Sequence, residues 1–273
     1  MTEKVIKRPG RGRSTEVITV RALERGLQVL DYVATTDSGT LSEIARATSL
    51  VPSTAYRILE TLAGKGYVTY LPQAGVYQLG LRVYELGNSL STYDRLKQAA
   101  RPQMKRLVRE TTEGVNLAVL DRKEVVYIQH EEGTGMMRMF TREGGRAPPY
   151  CTGVGKCLLA WLPEDAWPDH LPESPFASFT PYTITDRDAF YQELRQVRAA
   201  GMAMDKEERE EGVTCVTVPV WGDGGNVVAA LSVSGPTTRM ERQDLPEFQK
   251  NLERASRQIS SLIQSKDIPY DES

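Results

Sequence analysis

Residues 20–79 carry a combination of signals that few small folds satisfy together. Leu23, Leu27, Leu30 and Val33 recur at three- and four-residue steps, which marks an amphipathic helix over residues 20–34. Thr40 stands three residues before Glu43, the spacing at which hydroxyl and carboxylate each satisfy a backbone donor, and it opens a short helix over residues 41–47. Residues 48–51 form a turn. Pro52, suited to the first helical turn because its missing N–H is not needed there, opens a third helix through Ala55, Ile58, Leu59 and Leu62 to about Lys65. Two helices joined by a turn of about four residues make a helix-turn-helix. Residues 66–70 and 76–79 are β-rich and flank a stretch holding Pro72 and Gly75, so a hairpin closes the unit. Three helices followed by a hairpin is a winged helix.

Charge separates this part of the chain from the rest. Residues 1–80 hold ten Lys and Arg against seven Asp and Glu, whereas the remainder holds 24 against 29, although the whole chain is only −2. That asymmetry points to a polyanion partner for the N-terminal part. Residues 1–16 form a basic arm with Lys4, Lys7, Arg8, Arg11 and Arg13 and no apolar periodicity. With Ala55, Ile58, Leu59 and Leu62 facing inward, the third helix leaves Ser53, Thr54, Tyr56 and Arg57 outward, side chains suited to base edges and phosphates in a major groove. A polar outer face is common to surface helices and a basic tail is often only solvated. Arm, helix-turn-helix and wing together point to double-stranded DNA.

The segments at residues 20–27 (Val-Arg-Ala-Leu-Glu-Arg-Gly-Leu) and 53–59 (Ser-Thr-Ala-Tyr-Arg-Ile-Leu) resemble the IclR family of bacterial transcription regulators, and the likeness continues through Gly66-Tyr67-Val68 and Tyr77-Gln78-Leu79-Gly80. The resemblance implies a winged helix over residues 17–80 that dimerises and reads a palindromic operator, with Ser53, Thr54, Tyr56 and Arg57 nearest the bases and Arg13, Arg21 and Arg25 as further DNA contacts. It also implies a homodimer or homotetramer.

Residues 81–96 contain Leu81, Tyr84, Leu86 and Leu90 without proline and are expected to form one connecting helix, assigned to residues 81–97; a second helix is expected over residues 101–111, starting near Pro102. Residues 115–120 and 124–128 flank Asp121-Arg122-Lys123, and residues 215–221 and 227–234 flank a glycine-dense turn, two strand-turn-strand signals. Helical patterns cover residues 155–162, 187–200 and, as one closing helix, 240–265. Strands and helices without βαβ alternation imply an α+β unit with an antiparallel sheet. In the resembled family this region, residues 98–268 here, is a GAF-like effector-binding domain.

Glycines at Gly153 and Gly155 open a helix whose N-terminal amides could meet an anion. Glycine before a helix often only turns the chain, and the resemblance supplies the rest: Met136, Met139, Gly153, Val154, Asp205, Cys215, Ser232 and Ser234 match the family's pocket positions. Methionines and valine offer apolar contact; amides, a thiol and hydroxyls offer donors to a small organic acid, sugar-derived or aromatic. Ionised Asp205 repels a carboxylate, so it is assigned to a ligand hydroxyl or to orienting neighbouring donors. The acidic run at residues 205–211 reads as a solvated loop rather than a metal or acid–base site.

Three cysteines without a CxxC pair argue against a disulfide framework or a cysteine zinc site, and the two histidines, His130 and His170, have no adjacent ligand partner. No cofactor, metal or catalytic residue is expected. No apolar run approaches the roughly 18 to 20 residues of a spanning helix, and the basic N-terminus is followed by no apolar signal segment, so a cytoplasmic protein is expected. The resulting reading is a ligand-responsive regulator, a repressor of a catabolic operon. The alternatives are a constitutive DNA-binding protein whose second domain only oligomerises, and a redox-sensing regulator using Cys151 or Cys215.

Overall fold

The computed structural model describes residues 20–89, 93–135, 141–241 and 245–265, and the chain divides into two compact units, Met1–Leu90 and Ser91–Ser273. Among the described residues no helix is long and apolar enough to cross a membrane.

The first unit is three helices and a hairpin: α1 (Arg21–Thr36), α2 (Leu41–Ala47), α3 (Pro52–Gly64), β1 (Val68–Leu71) and β2 (Val76–Leu79), followed by α4 (Leu81–Asn88). The capping box at α2 is formed as expected: Glu43 N–H donates to Thr40 Oγ1 (3.3 Å), and Thr40 N–H donates to Glu43 Oε2 (2.8 Å). Val29 and Val33 of α1, Ile44 of α2 and Leu59 of α3 meet Val68 and Tyr77 of the hairpin in one small core. The α1 stripe is only half used: Leu23 and Leu27 remain 61% and 51% exposed, so the core takes the C-terminal part of the helix alone. Gly80 lets the chain leaving β2 pass close to Gly66, whose carbonyl oxygen lies 2.1 Å from where a Cβ on Gly80 would stand.

The second unit comprises α5 (Asp94–Thr111), β3 (Gly114–Asp121), β4 (Glu124–Glu131), β5 (Arg146–Ala147), α6 (Gly153–Ala160), α7 (Arg187–Ala200), β6 (Ala203–Lys206), β7 (Val213–Trp221), β8 (Val227–Pro236), α8 (Thr237–Met240) and α9 (Leu245–Gln264). The strands form an antiparallel sheet in the order β5-β4-β3-β8-β7-β6. One face carries a core with α5 and α9, built on Met104, Leu107, Leu252 and Ile259; the other packs α6 and α7 around Leu159, Trp167, Phe190 and Leu194. Both expected hairpins form, with Gly222 N–H donating to Asn226 O across the glycine-dense turn.

Three expectations about helix limits are corrected. The single helix over residues 81–97 is two pieces, because α4 ends at Asn88 and α5 begins at Asp94. Pro102 does not start a helix but lies inside α5. The carbonyl its ring leaves without an N–H belongs to exposed Gln98, where water can bond it, while Leu96, Ala99, Ala100 and Met104 on the other side are buried. The closing helix expected over residues 240–265 is also two, α8 and α9, with residues 242–244 outside the described residues.

Candidate operator surface and effector cavity

On the first unit the predicted DNA-contacting side chains of α3 face outward as expected. Ala55 and Leu59 are fully buried, which turns Ser53, Tyr56 and Arg57 to the surface and leaves Thr54 half-buried. Arg21 and Arg25 are exposed one helical turn apart on α1. Arg25, Arg57 and Thr54 line one open groove of about 710 Å³ between α1 and α3, whereas Ser53, Tyr56 and Arg21 stand outside its lining. Arg13 lies outside the described residues.

The second unit brings the predicted effector residues together. Strand register sets Asp205 opposite Cys215, Cys215 opposite Ser234, and Ser232 opposite Asn116, four neighbouring strands presenting small polar side chains on one face. Above that face the N-terminal turn of α6 supplies Gly153 and Val154. Gly153, Val154, Asp205, Cys215, Ser232 and Ser234 all line a single cavity of about 60 Å³. Met136 and Met139 lie outside the described residues. The helix start is held by Thr152, whose hydroxyl accepts the Gly155 amide (3.2 Å) and whose carbonyl accepts that of Lys156 (3.0 Å). Glycine is required at 153, since a Cβ there would lie 2.6 Å from Thr217 Oγ1.

The acidic run at residues 205–211 is only in part the solvated loop expected from its composition: Lys206, Arg209, Glu210 and Glu211 are exposed. Asp205 and Glu208 are buried and turned inward. Glu208 N–H donates to Asp205 Oδ1 (2.8 Å), and Lys156 Nζ, buried on α6, donates to Glu208 Oε1 (2.5 Å) and Glu193 Oε1 (3.0 Å). Burial opposes the charge of Lys156, but the two glutamates more than offset it and hold its pKa above the ordinary lysine value. Asp205 is pushed up to about 7, chiefly by burial, with the Glu208 amide pulling the other way. Its carboxyl oxygen thereby holds the start of the loop that follows β6.

Sequence reasoning missed Asn116, Tyr127, Thr141, Thr152 and Arg209, which share the cavity lining. Asn116 was signalled by a lone polar residue between Val115 and Leu117; Arg209 was concealed among glutamates. The Arg209 guanidinium lies 4.0 Å over the ring of Phe179, where it brings positive charge to the cavity. Burial pushes the thiols of Cys151 and Cys215 up to about 12, so both stay protonated and are poor nucleophiles, which counts against the redox reading. His130 Nδ1 is hydrogen-bonded to Asn116 Oδ1 (2.8 Å) and the His170 ring to the Arg122 carbonyl; among the described residues no three acidic, histidine or cysteine side chains cluster as metal ligands.

Comparison with known proteins agrees with this division. Residues 22–72 match the IclR helix-turn-helix domain and residues 89–261 the C-terminal domain of bacterial transcriptional regulator IclR. The chain is 35% identical to the HTH-type transcriptional regulator XynR of Escherichia coli over 245 residues, 89% of this chain and 97% of that protein. It is 37% identical to E. coli KdgR over 231 residues, 84% and 88% of the two chains. An IclR homologue of Microbacterium hydrocarbonoxydans, solved in complex with 4-hydroxybenzoate, superposes with a TM-score of 0.78 at 27% identity, covering 89% of this chain and 98% of that one. The matched domains and these relatives are regulators of transcription, not enzymes. The chain therefore belongs to the IclR family of bacterial transcriptional regulators, a helix-turn-helix DNA-binding domain followed by an effector-binding domain.

Proposed function

We propose that this regulator acts in the cytoplasm as a dimeric repressor of a catabolic operon, reading a palindromic operator through Ser53, Thr54, Tyr56 and Arg57, with Arg13, Arg21 and Arg25 on flanking phosphates. A small organic acid bound in the second unit changes its operator affinity. The observation that carries the effector assignment is the convergence of Gly153, Val154, Asp205, Cys215, Ser232 and Ser234 on one cavity. An oligomerisation module has no use for a cavity lined by hydroxyls, a thiol and the charged side chains of Asp205, Arg209 and Glu210. The solved homologue carrying 4-hydroxybenzoate fits the same ligand class. A cavity of about 60 Å³ holds few non-hydrogen atoms, so a compact acid enters it without rearrangement and an aromatic one requires the walls to part. Coupling demands that the acid favour one arrangement of the DNA-binding units, since equal affinity for both shifts nothing.

The test is titration of acids into the complex of the full chain with a DNA fragment selected from random sequence. Ser234→Ala is expected to weaken the effective acid by roughly 0.5 to 1.5 kcal/mol through loss of one hydrogen bond, more if that bond meets the carboxylate. Gly153→Val is expected to abolish the response, because the new side chain collides with Thr217. Both variants should bind DNA without acid as the parent does. An unchanged response in both would exclude this cavity as the effector site.

A further inference from the structure

We infer that His130 and Asn116 are positioning residues for the effector: together they set the Ser232 and Ser234 hydroxyls as hydrogen-bond donors toward the cavity and thereby select an acceptor-rich, anionic ligand. The inference rests on the effector reading of the cavity above. Asn116 on β3 is buried, with three polar neighbours. Its Oδ1 lies 2.8 Å from His130 Nδ1, and its Nδ2 lies 3.2 Å from Ser234 Oγ and 3.4 Å from Ser232 Oγ. The sheet register makes the set: β3 lies between β4 and β8, with Asn116 opposite His130 on one side and Ser232 on the other.

Two polarities of this chain of bonds are conceivable, and a count of donors separates them. In one, His130 Nδ1–H donates to Asn116 Oδ1, and the two amide hydrogens of Nδ2 go one to each serine oxygen. Every buried N–H then has an acceptor. In the other, the amide is turned over, Oδ1 accepts from both serines, and Nδ2 offers two hydrogens to a single acceptor, the unprotonated Nδ1 of His130. One amide N–H is then buried without a partner, which costs more than an under-used carbonyl oxygen. The first arrangement wins. Its consequence reaches the cavity: each serine oxygen accepts from Asn116, which leaves its own proton to donate. Ser232 and Ser234 both line the cavity, so these protons are presented on the ligand side. Two hydroxyl donors beside the start of α6 suit a carboxylate and disfavour a ligand whose contacting group is itself a donor.

The experiment has two arms on the full chain. In the first, long-range nitrogen–proton NMR reads the tautomer of His130 in the unliganded protein at pH 7.5, where burial keeps the ring neutral by holding its pKa below the ordinary value. The expected result is a proton on Nδ1; a proton on Nε2 overturns the inference. In the second, acetate, lactate, benzoate and 4-hydroxybenzoate are each titrated beside the matching primary amide into the parent and Asn116→Asp. The aspartate accepts from the serines and turns their lone pairs to the cavity, so the carboxylate-to-amide affinity ratio is expected to fall at least tenfold. An unchanged ratio in a folded Asn116→Asp protein overturns the inference. If that variant does not fold, Asn116→Leu replaces it and the ratio is expected to fall about threefold or more, an unchanged ratio again being fatal. A parent that binds none of the acids counts against the acid reading, while the tautomer still decides the polarity of the network.

Discussion

Asp205 lies in a stretch of alternating charge, yet its carboxyl is buried and its pKa stands near 7 against an ordinary 3.8. The folded protein therefore holds this proton more tightly than the unfolded chain does. The associated stabilisation is complete below about pH 4 and is lost as pH rises to about 7, at up to roughly 1.4 kcal/mol per unit. Asp205→Asn stays neutral and still accepts the Glu208 amide, so it should flatten this part of the pH dependence. Urea midpoints of parent and variant at pH 4.5 and 7.5 check it, and identical slopes would mean that Asp205 is ionised when folded. Arg57 belongs to the opposite kind of residue, exposed and without a structural duty in the core. Arg57→Ala is expected to weaken selected DNA by roughly 1 to 3 kcal/mol with no change in melting temperature. Full affinity in a mobility-shift assay would remove Arg57 from the interface.

At the scale of elements, local chemistry accounts for the first unit. The reciprocal Thr40–Glu43 bonds start α2, Pro52 starts α3, and the turn between them is as short as the pattern implied. Thr40→Ala removes the cap oxygen and should cost about 1 kcal/mol, whereas Thr40→Ser should cost far less. Thermal unfolding followed by circular dichroism separates the two, and equal melting temperatures would show that the box contributes nothing. The second unit obeys local rules less closely. A proline is held within α5 because one helix face buries Leu96, Ala99, Ala100 and Met104, and burial of this kind, about 25 cal/mol per Å² of apolar surface, offsets a missing backbone bond on the wet side.

For the whole molecule, exposed apolar side chains on the first unit offer a surface for the proposed self-association. Leu23 and Leu27 on α1 and Leu81 and Tyr84 on α4 are all more than half exposed, a density that a monomer in water rarely keeps uncovered. A second copy is the occupant that the proposed reading of a palindrome calls for, because a palindrome has two-fold symmetry and a dimer matches it. The protein is expected to sediment as a dimer or larger at micromolar concentration, and Leu23→Glu with Leu27→Glu to shift it toward smaller species and weaken DNA binding at least tenfold. A monomeric parent with full affinity for selected DNA would contradict this.

By itself the sequence determined what depends on near neighbours along the chain. Helix and strand periods, the capping box, Pro52 and the glycine-dense turn report local hydrogen bonding and which face is apolar, and these placed the helix-turn-helix, the wing and both hairpins of the second unit. The likeness to a family named six of the thirteen residues that line the cavity. The tertiary structure alone decided three things. It carried α5 through Pro102, because burial along one face of the helix offsets the missing backbone bond. It drew Asp205 and Glu208 inward, because Lys156 on α6 meets Glu208 from 52 positions away and compensates a charge that composition assigns to water. It set His130, Asn116 and the two serines in one row through the register of β4, β3 and β8. Charge compensation and strand register act between residues far apart in sequence, and a period of 3.6 or 2 carries no record of them.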